Sequence, residues 1–366
     1  MRKYNISDIT ELQKASETIE SDGLKILLKK IPGVTKVGYL DPYEKACQED
    51  NWVAQQRETG TGDTKNAIEA IRESMGFPNY NLNQTEIYTG HEILEVEGRK
   101  VGLWRYYKRR TSSRRRPALV YIHGGGWIGG TVFTVENPCR LIAELADAIV
   151  FNIDYSLAPE HPFPAGFNDC YAAVSHIYAH AEEYGIDASK IAVGGDSAGG
   201  NLTAAVCLKA REEGRQMVAE QILLYPSLTS QNEGIPGYEW RPDVYDIAPG
   251  NEEEIRPLLC LGNGTNPEKE LMIDAYLPDR SLAADPLVSP MMAENHAGLP
   301  KALIAVAEFD GLRQQGEFYG RQLEQAGVAV RTLRYCGASH AFIDRLGYVP
   351  SAEDICIEIA NDLKKL

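Results

Sequence analysis

Residues 191–201 read IAVGGDSAGGN, and they join an apolar strand-like run to a stretch with helical character. Residues 195–199 fit the pattern G-x-S-x-G, in which a serine occupies a tight turn between a strand and a helix. Small residues two positions before and after the serine let the chain turn without a clash. The hydroxyl then lies at the carboxyl edge of a sheet and at a helix N-terminus, where a developing anion is stabilised. The pattern therefore predicts that Ser197 is a nucleophile.

Apolar runs with strand character alternate with helical stretches along most of the chain. Strands are predicted at residues 87–97, 100–107, 118–122, 148–154, 191–195, 221–225, 302–308 and 328–335. Helices are predicted at residues 138–146, 166–184, 200–213, 316–326 and 352–366. Continuous apolar strands that alternate with helices indicate a mostly parallel sheet with helices on both faces. The predicted fold class is therefore α/β.

Two segments depart from this alternation. Residues 1–84 have low apolar content and predict short helices broken by prolines and glycines. Residues 229–283, approximately, are rich in Pro, Gly, Asn and Glu and predict weak helices that form an insertion over one end of the sheet. We therefore expect an N-terminal helical segment over residues 1–84 and a catalytic domain over residues 85–366 that contains the insertion.

Composition and charge exclude several classes of function. The 366 residues are 43% hydrophobic and 24% charged, close to the average of a globular protein. The net charge of −15 repels nucleic acid and anionic membranes, so neither is an expected partner. No apolar run reaches membrane-spanning length, and the N-terminus has no signal-peptide pattern. Seven cysteines without a C-x-x-C pair predict reduced thiols, so we expect a cytoplasmic protein.

A second glycine-rich turn follows the strand at residues 118–122. It reads HGGGW over residues 123–127. Acyl transfer needs backbone N–H groups aimed at the carbonyl oxygen as it becomes an anion, and glycines let the backbone approach that oxygen closely. We expect the N–H groups of Gly125, Gly126 and Ala198 to form this oxyanion hole, with Gly124 as a further candidate. Trp127 is expected to line the substrate pocket.

The same glycines allow a competing interpretation. Residues 124–129 also fit G-x-G-x-x-G after a strand, and Asp154 ends the next strand, as a ribose-binding acid does in dinucleotide-binding folds. However, no helix is predicted directly after these glycines to receive a pyrophosphate, and Ser197 would have no role. The sequence therefore favours a loop that serves the serine.

A serine nucleophile needs a base to accept its proton and an acid to orient that base. With a serine at a strand–helix turn of this kind, the expected chain order is serine, acid, histidine. Of seven histidines, His340 follows the last predicted strand, from which a loop can reach back to Ser197. Asp310 ends the preceding strand, whereas Glu308 lies two residues inside it. We therefore predict that His340 is the general base and Asp310 is its acid.

Four motifs together resemble those of the bacterial hormone-sensitive-lipase-like esterases, which have the α/β-hydrolase fold. They are HGGGW at 123–127, DYSLAPEHPFPA at 154–165, GDSAGGN at 195–201 and HAF at 340–342. The resemblance covers about residues 85–366 and implies a carboxylesterase that prefers short acyl chains and needs no cofactor. It also implies a helical cap, built from the N-terminal segment and from the insertion after the sixth core strand of the family's eight-strand sheet.

The chain departs from the family pattern after the acid. The family usually has Asp-Pro-Leu followed by a second acid, whereas residues 310–314 read DGLRQ. The first acid is retained, so the triad is expected to be preserved. Gly311 stands where the family has proline, and Gln314 stands where it has the second acid. We expect the supporting contact that this acid makes in the family to be weaker here.

These observations predict a serine carboxylesterase for small-molecule esters with acetyl to about hexanoyl acyl groups, acting through an acyl-enzyme without a metal. An acetyl esterase for acetylated sugars or xylan fragments is the main alternative, followed by an amidase. A long-chain lipase is disfavoured because the insertion has no extended apolar run. A non-catalytic ligand-binding protein is disfavoured because all three triad residue types are present. A homo-oligomer is left open.

Overall fold

The computed structural model describes residues 1–15, 17–34, 37–55, 64–109, 114–231, 234–262 and 266–366, so parts of the N-terminal segment and of the insertion lie outside the described residues. Ten strands in these ranges form one sheet in the order β1-β2-β10-β9-β8-β7-β5-β6-β4-β3. They are β1 (Thr18–Ser21), β2 (Leu24–Lys29), β3 (Tyr88–Val96), β4 (Arg99–Tyr107), β5 (Arg116–Ile122), β6 (Ile149–Asp154), β7 (Ile186–Asp196), β8 (Glu220–Leu224), β9 (Lys301–Phe309) and β10 (Val330–Ser339).

Helices cover both faces of this sheet. They are α1 (Ile6–Gln13), α2 (Pro42–Gln55), α3 (Thr64–Ser74), α4 (Glu136–Ala146), α5 (Ala165–Ala179), α6 (Ala181–Tyr184), α7 (Ala198–Glu212), α8 (Glu252–Ile255), α9 (Pro267–Tyr276), α10 (Arg313–Gln325) and α11 (Pro350–Leu363). Alternate residues of β5 point to opposite faces, so Leu119 and Tyr121 pack with α4 and α11 while Val120 and Ile122 pack with α5 and α7.

The strand directions confirm a mostly parallel sheet. All neighbours from β2 to β6 along the sheet order are parallel. Antiparallel pairs occur only at the two edges, where β1 pairs with β2 and where β3 and β4 extend the sheet beyond β6. The carboxyl ends of the parallel strands therefore meet at one edge, where ligands of open α/β sheets bind.

The N-terminal segment differs from the helices that were predicted for it. Its β1 and β2 form a hairpin around Asp22 and Gly23, and β2 then pairs in parallel with β10. Leu24 and Ile26 are fully buried, which fixes the hairpin on the sheet. The prediction of helices alone was wrong here because two short strands gain their stability from the sheet they join. The division of the chain at residue 84 stays a prediction.

The segment between β8 and β9 forms no strand in its described residues. It contains α8, α9 and 3₁₀ helices at Pro242–Val244, Arg256–Gly262, Arg280–Ala284 and Pro290–Met292. Residues of α9, of the second 3₁₀ helix and of α3 line one cavity of about 370 Å³ over the turn between β7 and α7. Both segments that were expected to form a cap thus contribute to this cavity. Within the described ranges, no helix is both long and apolar enough to cross a bilayer.

Candidate active site

Ser197 occupies the strained turn between β7 and α7. Its φ of 54° and ψ of −117° lie outside the regions that L-residues usually adopt. β5 runs so close to this turn that a Cβ on Gly195 or on Gly199 would collide with the carbonyl oxygen of Ile122. Glycine is therefore required on both sides, and the close packing helps to hold the serine in its strained conformation.

The three predicted triad residues come together at the carboxyl edge of the sheet. His340 Nε2 lies 3.0 Å from Ser197 Oγ, and His340 Nδ1 lies 2.7 Å from Asp310 Oδ2. Asp310 is fully buried, and its second carboxylate oxygen accepts the Leu312 N–H at 2.8 Å. A proton on Nδ1 leaves the Nε2 lone pair facing the serine hydroxyl, so the arrangement can accept the proton of Ser197.

Two tyrosines that the sequence did not single out support the acid and the base. The Tyr225 ring packs edge-on against the His340 imidazole, with 4.9 Å between ring centroids. From the insertion, the Tyr245 hydroxyl donates to the main-chain oxygen of Asp310 at 2.9 Å. Neither tyrosine belongs to a recognisable local motif. Glu308, the competing acid, instead accepts the N–H of Gly337 at 2.7 Å.

The glycine loop after β5, residues 123–127, lines the same cavity as Ser197. Gly125 and Gly126 have φ of 121° and 59°, and their N–H groups have no acceptor among the described residues. Ala198 begins α7, so its N–H has no partner within the helix. The N–H of Gly124 instead donates to Asp196 Oδ1 at 3.0 Å. Gly124 is therefore not free to bind an oxyanion and is left out of the proposed oxyanion hole.

The structure gives no support to a dinucleotide site at these glycines. The next helix along the chain, α4, begins only at Glu136, so no helix opens directly after residues 124–129 as a pyrophosphate-binding turn requires. Trp127 is buried, stacks on Tyr276 with 4.6 Å between ring centroids, and donates to Asn201 Oδ1 at 3.3 Å. Trp127 thus forms part of the wall of the cavity that contains Ser197.

The cavity has apolar walls on the side formed by α3 and α9. Apolar walls come from Ile71 of α3, from Met75 directly after α3, and from Met272 and Ile273 of α9. Met272 lies so close to the glycine loop that a Cβ on Gly126 would collide with its sulfur. In the parts of the chain described, no group of three or more His, Cys, Asp and Glu side chains is placed to hold a metal.

The N-terminal segment also contacts the chain directly after the glycine loop at 123–127. Arg72 of α3 donates through Nε to the main-chain oxygen of Ile128 at 2.5 Å and through Nη2 to that of Ala158 at 2.8 Å. It also pairs with Glu160 at 2.6 Å. Glu160 belongs to the 154–165 motif, but its partner lies 88 residues earlier, so sequence reasoning missed this contact.

Two buried carboxyl groups lie beside the triad. Asp196 accepts hydrogen bonds from the Tyr121 hydroxyl and the Gly124 N–H, both at 3.0 Å, but burial still raises its pKa to about 6. Asp344 lines the cavity and is largely buried. Burial, followed by the charge of Asp196, raises the pKa of Asp344 well above its ordinary value.

Asp196→Asn should stabilise the fold increasingly as pH rises. The folded pKa of Asp196 is raised above the ordinary value of 3.8, so the folded state loses stability as pH rises through about 4 to 6. Asparagine avoids this loss. Between pH 4 and pH 8 the free energy of unfolding of the variant should therefore rise by on the order of 2 kcal/mol relative to that of the parent. Urea unfolding across this range measures it, with exposed Asp246→Asn as the control. A difference independent of pH would contradict the account.

Comparisons with known proteins agree with this geometry. A family model described as alpha/beta hydrolase fold matches residues 119–344. The carboxylic ester hydrolase LipN of Mycobacterium tuberculosis is 39% identical over 287 residues, which cover 76% of this chain and 69% of LipN. An arylesterase of Saccharolobus solfataricus is 33% identical over 249 residues, covering 68% of this chain and 74% of the relative. A solved hyperthermophilic esterase from the archaeon Pyrobaculum calidifontis has a TM-score of 0.73 at 30% identity and covers 89% of this chain and 98% of its own.

Proposed function

Because this chain belongs to the hormone-sensitive-lipase-like branch of the α/β-hydrolase fold family and is a carboxylic ester hydrolase, we propose that it cleaves short-chain acyl esters through an acyl-enzyme on Ser197. One observation carries the proposal. The hydrogen-bonded series from Asp310 through His340 to Ser197 reaches the same cavity as the N–H groups of Gly125 and Gly126.

The first half of the reaction acylates the serine. His340 Nε2 removes the hydroxyl proton while Ser197 Oγ attacks the ester carbonyl carbon. The carbonyl oxygen becomes an oxyanion, which accepts hydrogen bonds from the N–H groups of Gly125, Gly126 and Ala198. The carbon–oxygen bond to the alcohol then breaks, and the imidazolium donates its proton to the leaving oxygen. Asp310 stabilises the imidazolium and fixes its orientation.

The second half of the reaction releases the acid. A water molecule takes the place of the alcohol, and His340 removes its proton as it attacks the acyl carbon. The same three N–H groups hold the second oxyanion. Collapse of this intermediate breaks the bond to Ser197 Oγ, which regains its proton from His340. The cycle consumes one water and needs no other reactant.

The size and walls of the cavity support a short acyl group. A volume of about 370 Å³ lies near the lower end of the range for small-molecule sites, about 300–1,000 Å³. Met75 and Met272 line the cavity beside the glycine loop that follows β5. Both side chains are flexible enough to adapt to small changes in acyl size. Acetyl to about hexanoyl groups fit this description best.

A panel of p-nitrophenyl esters from acetate to laurate tests this proposal, with acetylated xylo-oligosaccharides and a p-nitroanilide included. We expect kcat/KM to be highest between the C2 and C6 esters and about tenfold or more lower for laurate, because a long chain exceeds the cavity. A maximum at C10 or C12 would contradict the short-chain assignment. Faster turnover of the acetylated sugars than of any simple ester would favour the acetyl esterase instead.

A further inference from the structure

We propose that Glu44 of α2 is a positioning residue, which acts with Arg345 to set the place of His340. The inference rests on the proposed function, because it assumes that His340 is the general base. It assigns a role in catalysis to the N-terminal segment, none of whose residues belongs to the triad or to the oxyanion hole.

One carboxylate oxygen of Glu44 accepts hydrogen bonds from both Ser339 and Arg345. Glu44 is fully buried, and its Oε1 accepts the main-chain N–H of Ser339 at 3.2 Å. The same oxygen accepts the Ser339 hydroxyl and an N–H of the Arg345 guanidinium. Ser339 is the last residue of β10 and directly precedes His340. Glu44 therefore holds the chain at the point where it leaves the sheet toward the catalytic loop.

Arg345 carries this contact to the other side of the histidine. Its Nη2 donates to the main-chain oxygen of His340 at 3.2 Å, while Nη1 is held by Glu44 and lies 3.2 Å from Ser339 Oγ. Ser339, directly before His340, and the main-chain oxygen of His340 itself are thus both connected to the same buried carboxylate. Asp310 and Ser197 then contact the imidazole.

The N-terminal segment fits against the same turn through its backbone. The N–H of Asp41 donates to the Gly337 oxygen at 2.9 Å, and a Cβ on Gly337 would lie 2.6 Å from the Asp41 nitrogen. Asp41 directly precedes α2, and its side chain accepts the Tyr43 N–H at 2.8 Å. This contact places the first turn of α2, which contains Glu44, over the end of β10.

The chemistry of the pair favours positioning over simple stabilisation. Burying a carboxylate and a guanidinium costs desolvation energy that apolar side chains of the same volume avoid, so buried ion pairs are weak evidence for stability. Their hydrogen bonds do, however, fix directions. His340 needs Nε2 near Ser197 and Nδ1 near Asp310 at the same time, and displacement of reacting groups by about 1 Å can cost about 100-fold in rate.

The test compares Glu44→Ala and Glu44→Gln with the parent enzyme on p-nitrophenyl acetate. We expect Glu44→Ala to lower kcat by about 10- to 100-fold with KM changed by no more than about twofold, because Glu44 does not line the cavity. Glutamine keeps an acceptor for Ser339 but loses the charge that holds Arg345. Glu44→Gln should therefore recover part of kcat, and it decides the question if the alanine variant does not fold.

The control is Glu353→Gln, which weakens the pair between Arg2 and Glu353 that ties the start of the chain to α11. It should lower the melting temperature while kcat stays within about twofold of the parent at 25 °C. The second-order rate of phosphonylation by a fluorophosphonate gives an independent readout, and it should fall with kcat in the Glu44 variants.

The proposal is overturned if both Glu44 variants keep kcat within about twofold of the parent, or if Glu353→Gln lowers kcat as much as they do. Failure of the proposed function looks different. In that case the Ser197→Ala variant would keep a turnover rate near that of the parent enzyme, whatever the Glu44 variants do.

Discussion

Ser197→Ala should lower kcat for p-nitrophenyl acetate by about 10⁵-fold or more, because the variant lacks the oxygen that forms the acyl-enzyme. KM is expected to change little, since alanine leaves the cavity and the oxyanion N–H groups in place. The remaining rate should come from the oxyanion hole and substrate binding alone. Initial rates at enzyme concentrations high enough to measure the residual activity give the fold-change.

A matched control for this variant is Ser230→Ala. Ser230 is a buried serine, its hydroxyl has no hydrogen-bond partner among the described residues, and it does not line the cavity. We expect its kcat to stay within about twofold of the parent. If Ser197→Ala kept a rate near that of Ser230→Ala, the assignment of the nucleophile would be wrong.

Asp310→Asn should lower kcat by about 10⁴-fold while the protein stays folded. Asparagine has nearly the shape of aspartate, but it loses the charge that stabilises the imidazolium. Its amide N–H₂ can also face His340 Nδ1, which would place the imidazole proton on Nε2. A protonated Nε2 cannot accept the proton of Ser197. Steady-state kinetics from pH 6 to 9, with the far-UV circular dichroism of both proteins, measures the effect.

Glu308→Gln separates this effect from the general loss of a partly buried carboxylate. Burial raises the pKa of Glu308, and its carboxylate accepts the Gly337 N–H, a contact that a glutamine oxygen can keep. We expect kcat of Glu308→Gln within about threefold of the parent. Equal losses in the two variants, or a larger loss at Glu308, would mean that Asp310 is not the acid of the triad.

The parts of the site that sequence motifs predict are those set by local backbone geometry. The turn at Ser197 needs glycines at fixed positions, and Asp310 and His340 follow strands whose carboxyl ends share one edge of the sheet. The same local rule was available for the missed hairpin, since Asp22-Gly23 is a strong turn signal. This turn signal does not decide the structure by itself, because the strands on either side are short and the surrounding segment has helical character.

The remaining contacts of the site join residues that are far apart in the sequence. Glu44 and Arg345 are separated by 301 positions, and Arg72 and Glu160 by 88. An acidic residue in the first turn of a helix usually stabilises that helix, so nothing in the local sequence distinguishes Glu44 from a surface residue. The use of the Gly124 N–H by Asp196 was equally hidden, because it depends on where the Asp196 side chain turns.

The two departures from the family pattern acquire physical reasons in the structure. A Cβ on Gly311 would collide with the backbone of Leu259 and Gly262, so the close approach of the insertion requires glycine there. Gln314 makes two hydrogen bonds to the backbone of Arg241, at 3.0 and 2.7 Å. The sequence had suggested only that Gln314 weakens a contact. In the structure, Gln314 instead supports the insertion.

The central claim is that Ser197 is the nucleophile of an ester hydrolase, and covalent labelling tests it most directly. The parent enzyme is incubated with a fluorophosphonate, and intact and peptide mass spectrometry then locate the adduct. We predict one adduct per chain, on the Ser197 hydroxyl, that appears in step with the loss of esterase activity and is absent from Ser197→Ala. An adduct on another residue, or full activity in a protein whose Ser197 is labelled, would contradict the account.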